Sequence, residues 1–542
     1  MAGLILSAGA FAQLTSFPKP NYFRETFQNT VPKVELQPPT KLKDFVADGK
    51  LELSLKNYLE LVMANNTDIQ IQKLSVEMPK NAIMRAFGAW DPRATAQFTS
   101  TRSTSPATSL LEGATDVKTL SQPASFSVTQ LLPTGTNYTV SFSGSKSTSN
   151  NSFNSYNPAL STGLSIGFTQ PLLQNRGTYV NRLTLMISRS SLRFSEYQMR
   201  SQMINLVSSA ENAYWDVINA RENLRVAISA EQTANQFLEL QQRQLELGAL
   251  SPLDIYAQQQ RVAQSKVNTA QARFRLVFTE DALRKQIGAD LDPDVRKLPI
   301  VLTEPVDIAV DAQESDREGL VQKAIANRPD LKGATQNLDI DDLRIQQSRN
   351  ALLPNLSLIG NYTANGRGGI LVQRSNVFTE NGTSSVITTL PGGIGDAFSQ
   401  MFGFGYSSYQ LGLRLNFPLK SRAASADLAD SLVRKKQDAL TLRTTQQSIR
   451  LGVLNSVTNL ESAKESVKLA KVALDFADKN LDAANKKYEL GTGLQLDVAT
   501  AQDQRVQADS SVVTNQIQLR RSLITLLVQT GTLLEERGIV IQ

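Results

Sequence analysis

The sequence predicts a mainly α fold with a β portion, built as two internal repeats, and three observations carry that prediction. Two long heptad-patterned runs, about 178–247 and about 421–490, contain no proline. Each is preceded by segments in which apolar and polar residues alternate, as in strands with one buried face. The parts recur in one order, with Ala64-Asn65 matching Ala326-Asn327, Asp68-Ile69 matching Asp330-Leu331, and Pro92 matching Pro354.

Residues 1–12 place Leu4-Ile5-Leu6 ahead of Ala10-Phe11-Ala12, the apolar core and small-residue cleavage site of a signal peptide without its charged start. A truncated leader and a frayed apolar terminus both fit. Residues 13–52 are rich in proline and polar residues and read as an extended arm. The first repeat, 53–290, opens with a helical pattern over 53–90 through Tyr58, Leu61, Val62, Ile69 and Leu74, stopped at Asp91-Pro92. Strands follow at about 93–172. Ala94, Ala96 and Phe98 share one face, as do Leu164, Ile166 and Phe168, and an extra hairpin turns at Pro133-Thr134-Gly135 between Phe126-x-Val128 and Tyr138-x-Val140-x-Phe142.

The second repeat, 317–534, has a helix over 317–353 ended by Pro354, then strands at about 355–418. There Leu411, Leu413, Leu415 and Phe417 stand opposite Gln410, Gly412, Arg414 and Asn416. Such alternation fits a half-exposed soluble sheet or a lipid-facing barrel. The Gly-, Ser-, Thr- and Asn-rich stretches 100–122, 144–162 and 365–408 read as long loops.

In the second long helix Ile449, Val453, Ser456, Leu460, Ala463, Val467 and Ala470 step by four and three; Leu206, Ala210, Ala213, Val217, Ala220 and Leu224 keep the same frame in the first. Val207, Tyr214 and Ile218 add a second stripe, which suits neighbours on two sides, as in a ring, beside the simpler case of one-sided packing. A run of roughly 70 residues makes a helix of about 105 Å, and the helices before the strands and after the reversals (252–287 and 495–529) are roughly half that. Two short helices stacked end to end therefore match one long one. The strands fall at one end and the reversals at the other, with 291–316 crossing between halves near the middle and 535–542 left as a tail.

The reversals are Leu247-Gly248-Ala249-Leu250-Ser251-Pro252-Leu253-Asp254-Ile255 and Leu490-Gly491-Thr492-Gly493-Leu494-Gln495-Leu496-Asp497-Val498. In each, a heptad run ends at a glycine, which takes the left-handed conformation that closes a helix, and the next helix opens with an aspartate in its first turn. Ser251 suits an N-cap and Pro252 the first helical position.

The chain has no cysteine and no histidine, which removes disulfides, thiolate and imidazole metal sites, and Ser-His-Asp and Cys-His catalysis. With no converging carboxylates either, the chain is predicted to be neither an enzyme nor a cofactor protein. The net charge of +6 is interleaved rather than clustered, so nucleic acid is not expected as a partner. No apolar run approaches the roughly 20 residues of a membrane-spanning helix, so a membrane role would need strands. Four to six strands per chain fall short of the roughly eight that close a barrel, so several chains must share one.

In this order of helix, strands, long helix and reversal, from about residue 53 to 534, the sequence resembles the TolC family of outer-membrane efflux channel proteins. The likeness rests on Asn327-Arg328-Pro329-Asp330-Leu331, on Pro354 and Pro418, and on Tyr488-Glu489-Leu490-Gly491 followed by Leu496-Asp497-Val498. It implies a homotrimer with a shared transmembrane β-barrel in outer-membrane lipid and a long antiparallel α-helical barrel in the periplasm. It also implies docking to a periplasmic adaptor and, through it, an inner-membrane pump. The extra hairpin departs from the family's two strands per half. By resemblance, Leu247, Gly248, Ala249, Leu490, Gly491 and Thr492 would contact the adaptor, while Tyr488, Asp254 and Asp497 would form the pore gate. Gly493 stands where the family often has an arginine that strengthens the gate, and Thr500 where a second aspartate ring can lie. The simpler role for both aspartates is to stabilise a helix N-terminus, by about 0.3–1 kcal/mol. The function so implied is a passive exit duct of a tripartite efflux or type I secretion system; the alternative is a structural or adhesive coiled-coil protein of the cell surface.

Overall fold

In the computed structural model the described residues are 31, 42–47, 49–109, 112–152, 154–247, 252–291, 293–307, 316–374 and 386–540. The expected signal peptide and most of the expected arm lie outside them. A 3-10 turn (Leu42–Phe45) leads into β1 (Val46–Ala47), β2 (Lys50–Leu53), α1 (Leu55–Asn65), α2 (Thr67–Leu74) and α3 (Glu77–Phe87). Then come β3 (Arg93–Phe98), β4 (Thr101–Pro106), β5 (Asp116–Leu131), β6 (Asn137–Ser149), β7 (Tyr156–Pro171), the short α4 (Thr178–Asn181), the long α5 (Leu183–Glu246) and α6 (Pro252–Gln286). After β8 (Ile300–Leu302) the order continues with α7 (Arg317–Asn327), α8 (Pro329–Ala351), β9 (Asn355–Arg374), β10 (Val386–Leu390), α9 (Ile394–Phe402), β11 (Tyr406–Asn416), the long α10 (Arg422–Glu489), α11 (Gln495–Thr530) and α12 (Leu533–Glu536).

The single helix expected over 53–90 is instead three; polar side chains open the first two, and α3 starts after Val76 with no side-chain cap. Ser54 Oγ accepts from Asn57 N at 3.2 Å, and Asn66 Oδ1 accepts from Asp68 N at 2.9 Å and Ile69 N at 3.2 Å, so each satisfies N–H groups left free at a helix start. The segment 50–53, expected as the end of the arm and the start of the helix, is strand. β2 pairs antiparallel with β1 and parallel with β8, so the connection 291–316 carries a strand of its own.

The large sheet runs in the order β3, β5, β6, β7, β9, β10, with β4 also on β5 and β11 also on β9. β4 prolongs the edge made by β3, and β10 prolongs the edge made by β11, so the described strands occupy six positions. Pairing in register gives each face a continuous character. Ala94, Val128, Val140, Ile166, Tyr362 and Tyr409 form one row, and the adjacent row on the other face is Thr95, Ser127, Ser141, Ser165, Thr363 and Ser408. The stretches expected as loops at 100–122, 144–162 and 365–408 are corrected: 101–106, 116–122, 144–149, 156–162 and 365–374 are strand. Their ladders join backbones, which needs no apolar alternation in the side chains.

α5 with 64 residues and α10 with 68 are each about 100 Å long. α1 to α3 and α6 lie one after the other along α5, and α7, α8 and α11 lie along α10. Where the short helices meet, Asn66 Nδ2 donates to Gln286 O at 3.1 Å and Oε1 at 2.8 Å, while Arg328 Nη1 donates to Gln529 Oε1 at 2.8 Å. The largest core sits at this level. It gathers Leu51, Leu53, Tyr58, Ile69, Val207, Tyr214, Trp215, Leu283, Ile300 and Ile524. Tyr58 donates to Ala210 O and Tyr214 to Leu53 O, both at 3.1 Å, so the phenols are satisfied where they are buried. The tail is not free: Arg537 binds the buried Glu211 through both carboxylate oxygens, at 2.5 and 3.0 Å.

Candidate gate and docking surface

The end of the molecule away from the sheet is shaped by how α10 stops. Gly491 takes φ +73°, Gly491 N donates to Tyr488 O, and both Thr492 N and Gly493 N donate to Lys487 O, each at 3.0 Å. These bonds satisfy carbonyls that the last helical turn leaves open. A Cβ on Gly493 would sit 3.0 Å from both Lys487 Cβ and Tyr488 N, so the missing side chain keeps the turn tight. Asp497 is exposed and accepts from Leu494 N at 3.2 Å, which is the N-terminal role foreseen for it beside gating. Thr500 Oγ1 turns back to Leu496 O at 2.7 Å rather than outward.

Tyr488 points across to α5. Its hydroxyl donates to Gln244 Oε1 at 2.9 Å and its ring lies 5.9 Å from that of Phe237, beside the buried Ala484, Val498 and Ala501. Gln244 was not among the expected gate residues, and a polar residue on a heptad flank carries no local signal of its partner. Asp254 lies in the first turn of α6, but its side chain, with Gly248 and Ala249, falls outside the described residues. Leu247, Leu490, Leu494 and Leu496 are exposed around the two turns, and Leu247 keeps 83% of its surface. Large apolar side chains are thus grouped at this tip.

A second polar tie lies higher up. Arg261 on α6 meets Asp503 on α11 at 2.9 Å, and Arg505 meets Asp478 on α10 at 3.1 Å. Arg261, Asp503 and Arg505 lie on the helices that follow the reversals and Asp478 on α10, and sequence periodicity alone does not pair them.

The family model described as outer membrane efflux protein matches residues 109–289 and 320–532, which together are well over half of the chain. The chain belongs to the outer membrane efflux protein family. It is 21% identical over 375 residues to the outer membrane protein TolC of Vibrio cholerae, spanning 68% of this chain and 77% of that one. It is 25% identical over 167 residues to the probable efflux pump outer membrane protein TtgC of Pseudomonas putida, spanning 31% and 33%. The fold is similar to that of a membrane protein from Pseudomonas aeruginosa, with a TM-score of 0.63 at 16% identity over 93% of this chain and 99% of that one. It is also similar to the CmeC outer membrane channel of Campylobacter jejuni, with a TM-score of 0.61 at 14% identity over 92% and 90%. This efflux protein is therefore an outer-membrane channel, with its helical portion in the periplasm. Membership in a transport family replaces the alternative of an adhesive coiled-coil protein.

Proposed function

We propose that three copies of this efflux protein close one shared β-barrel and one helical tube, forming a passive exit duct with no chemical step. The observation that carries this is the open sheet. Six strand positions leave β3 with β4 at one edge and β11 with β10 at the other, below the roughly eight strands a barrel requires. Apolar side chains left exposed among the described residues support closure of the helical part: Tyr256, Phe274 and Phe278 on α6, and Leu451, Leu469 and Phe476 on α10. Three copies would bring eighteen strands, more than the two per half usual in the family, and a barrel widens with strand number.

The correspondence of Asn66–Gln286 with Arg328–Gln529, and of the two reversals, supports the reading of the chain as two repeats. In this assembly the reversals form the mouth. Leu247, Gly248, Ala249, Leu490, Gly491 and Thr492 would meet a periplasmic adaptor that links the duct to an inner-membrane pump. Tyr488, Asp254 and Asp497 would narrow the mouth, and an aspartate ring there favours cations.

The test is disulfide cross-linking in outer membranes of Ala96→Cys in β3 with Leu413→Cys in β11, clean because the chain has no cysteine of its own. A ladder of bands ending at the trimer is expected. A chain that stays monomeric in the membrane would sink the proposal.

A further inference from the structure

Helix α9 has no part in the duct as described above, yet it is firmly placed. Between β10 and β11 the chain leaves the sheet edge and folds over one face. Gly144, Thr162 and Gly366 form a row on the face that carries Phe142, Leu164 and Ala364. α9 rests on this row. Thr162 Oγ1 donates to Ala397 O at 3.0 Å, and the Phe398 ring stacks on Phe142 with centroids 5.8 Å apart. Ala364, Ala397 and Met401 are fully buried. A Cβ on Gly366 or Gly368 would overlap the carbonyls of Ala397 or Gly393, so the glycines of β9 make the seat.

Away from the sheet, α9 leaves side chains exposed among the described residues. Ile394 and Phe402 are exposed, Phe402 to 60% with its ring stacked on Phe398, and Phe404, just beyond the helix, is exposed beside Tyr362 of the sheet; the exposed polar side chains of α9 are Ser399 and Asp396, which accepts from Gly393 N at 2.7 Å. The helix sits over β6, β7 and β9, within the protomer's own sheet and away from the β3 edge. It continues the apolar face toward the rim, where the row of Gln122, Lys146, Leu160 and Gly368 brings in a charge.

We propose that α9 lies in the outer leaflet of the outer membrane, with Ile394, Phe402 and Phe404 in contact with lipid acyl chains. This rests on the reading of the apolar sheet face as the lipid-facing one. Height favours it. From Leu356 to Ala364 the apolar run on β9 extends about 26 Å at roughly 3.3 Å per residue, and a tilt of about 40° reduces this to about 20 Å, short of the roughly 25 Å apolar band of membrane barrels. α9, seated on Gly366 and Gly368 just beyond Ala364, supplies the missing height with side chains that the glycines of β9 lack. A short apolar helix lying flat at that level matches an interfacial helix rather than a water-exposed loop.

Single-cysteine variants Phe402→Cys, Leu413→Cys and Gln410→Cys, labelled with bimane and reconstituted in phosphatidylcholine vesicles with brominated acyl chains, test it. The labels at 402 and 413 should lose fluorescence to the brominated chains to a similar extent, whereas the label at 410, on the polar face, should be quenched by iodide. A label at 402 that answers to iodide alone, or to neither quencher, while 413 answers to lipid, overturns the placement of α9 and leaves the barrel standing. If 413 also fails to respond to lipid, the lipid-facing sheet falls and α9 with it.

Discussion

Glu211 and Arg537 are 326 positions apart and bind each other where Glu211 has no exposed surface. The pair fixes the last residues of the chain to the middle of α5. Glu211→Gln leaves the arginine without its counter-charge. Removing one partner of a fully buried pair costs about 3–5 kcal/mol, and because Arg537 keeps some contact with water a loss nearer 2 kcal/mol is expected. It would be read as a lower melting temperature. At Asp341 on α8, burial first and Asp438 facing it from α10 second push the carboxyl up to about 6, with Arg344 and Arg434 opposing. An ordinary aspartate titrates near 3.9, so the folded chain holds the extra proton between about pH 4 and 6. Stability is then greatest below about pH 4 from this group and declines as pH rises through about 6, by at most about 3 kcal/mol. Asp341→Asn should flatten that slope in melting curves taken across the range; an unchanged slope would place its origin elsewhere.

Among the elements, helix ends carry the sharpest expectations. Gly491 and Gly531 both take left-handed φ, +73° and +72°, at the close of α10 and α11. They differ in surroundings. A Cβ at Gly491 meets open space, whereas one at Gly531 would lie 3.2 Å from Arg328 Cα and N. Gly491→Ala should therefore cost only the backbone term of about 1–2 kcal/mol, and Gly531→Ala more, since it also pushes on the α7–α8 junction. Equal melting temperatures for the two would count against the close approach. The long heptad helices were legible because their apolar period is local and persists over many turns. The break at Asn66 was not, since an asparagine in a helical pattern caps only where the backbone turns. α9 was hidden for a similar reason, lying within a glycine-rich stretch whose apolar residues gain meaning from the sheet beneath them.

For the whole molecule, the duct reading predicts how conductance responds at the mouth. Asp497→Ala should lower cation preference in planar bilayers, and Tyr488→Phe should raise closed-state conductance by removing the bond to Gln244. Unchanged selectivity in the first would leave Asp497 with its helix-start role, and unchanged leak in the second would remove Tyr488 from the gate. Gln244→Leu should then behave as Tyr488→Phe does, because the same hydrogen bond is lost.

By itself the sequence determined the mainly helical character, the strand faces, the two reversals and the family, because period, proline position and glycine spacing are properties of neighbouring residues. Only the tertiary structure decided the six strand positions, the strand character of the Ser- and Thr-rich stretches, the Glu211–Arg537 anchor, the partner of Tyr488 and the seat of α9. Each of these depends on which distant backbones come together. Ladder hydrogen bonds, buried ion pairs and glycine seats are set by that meeting, and residues far apart in the chain carry no local pattern that announces it.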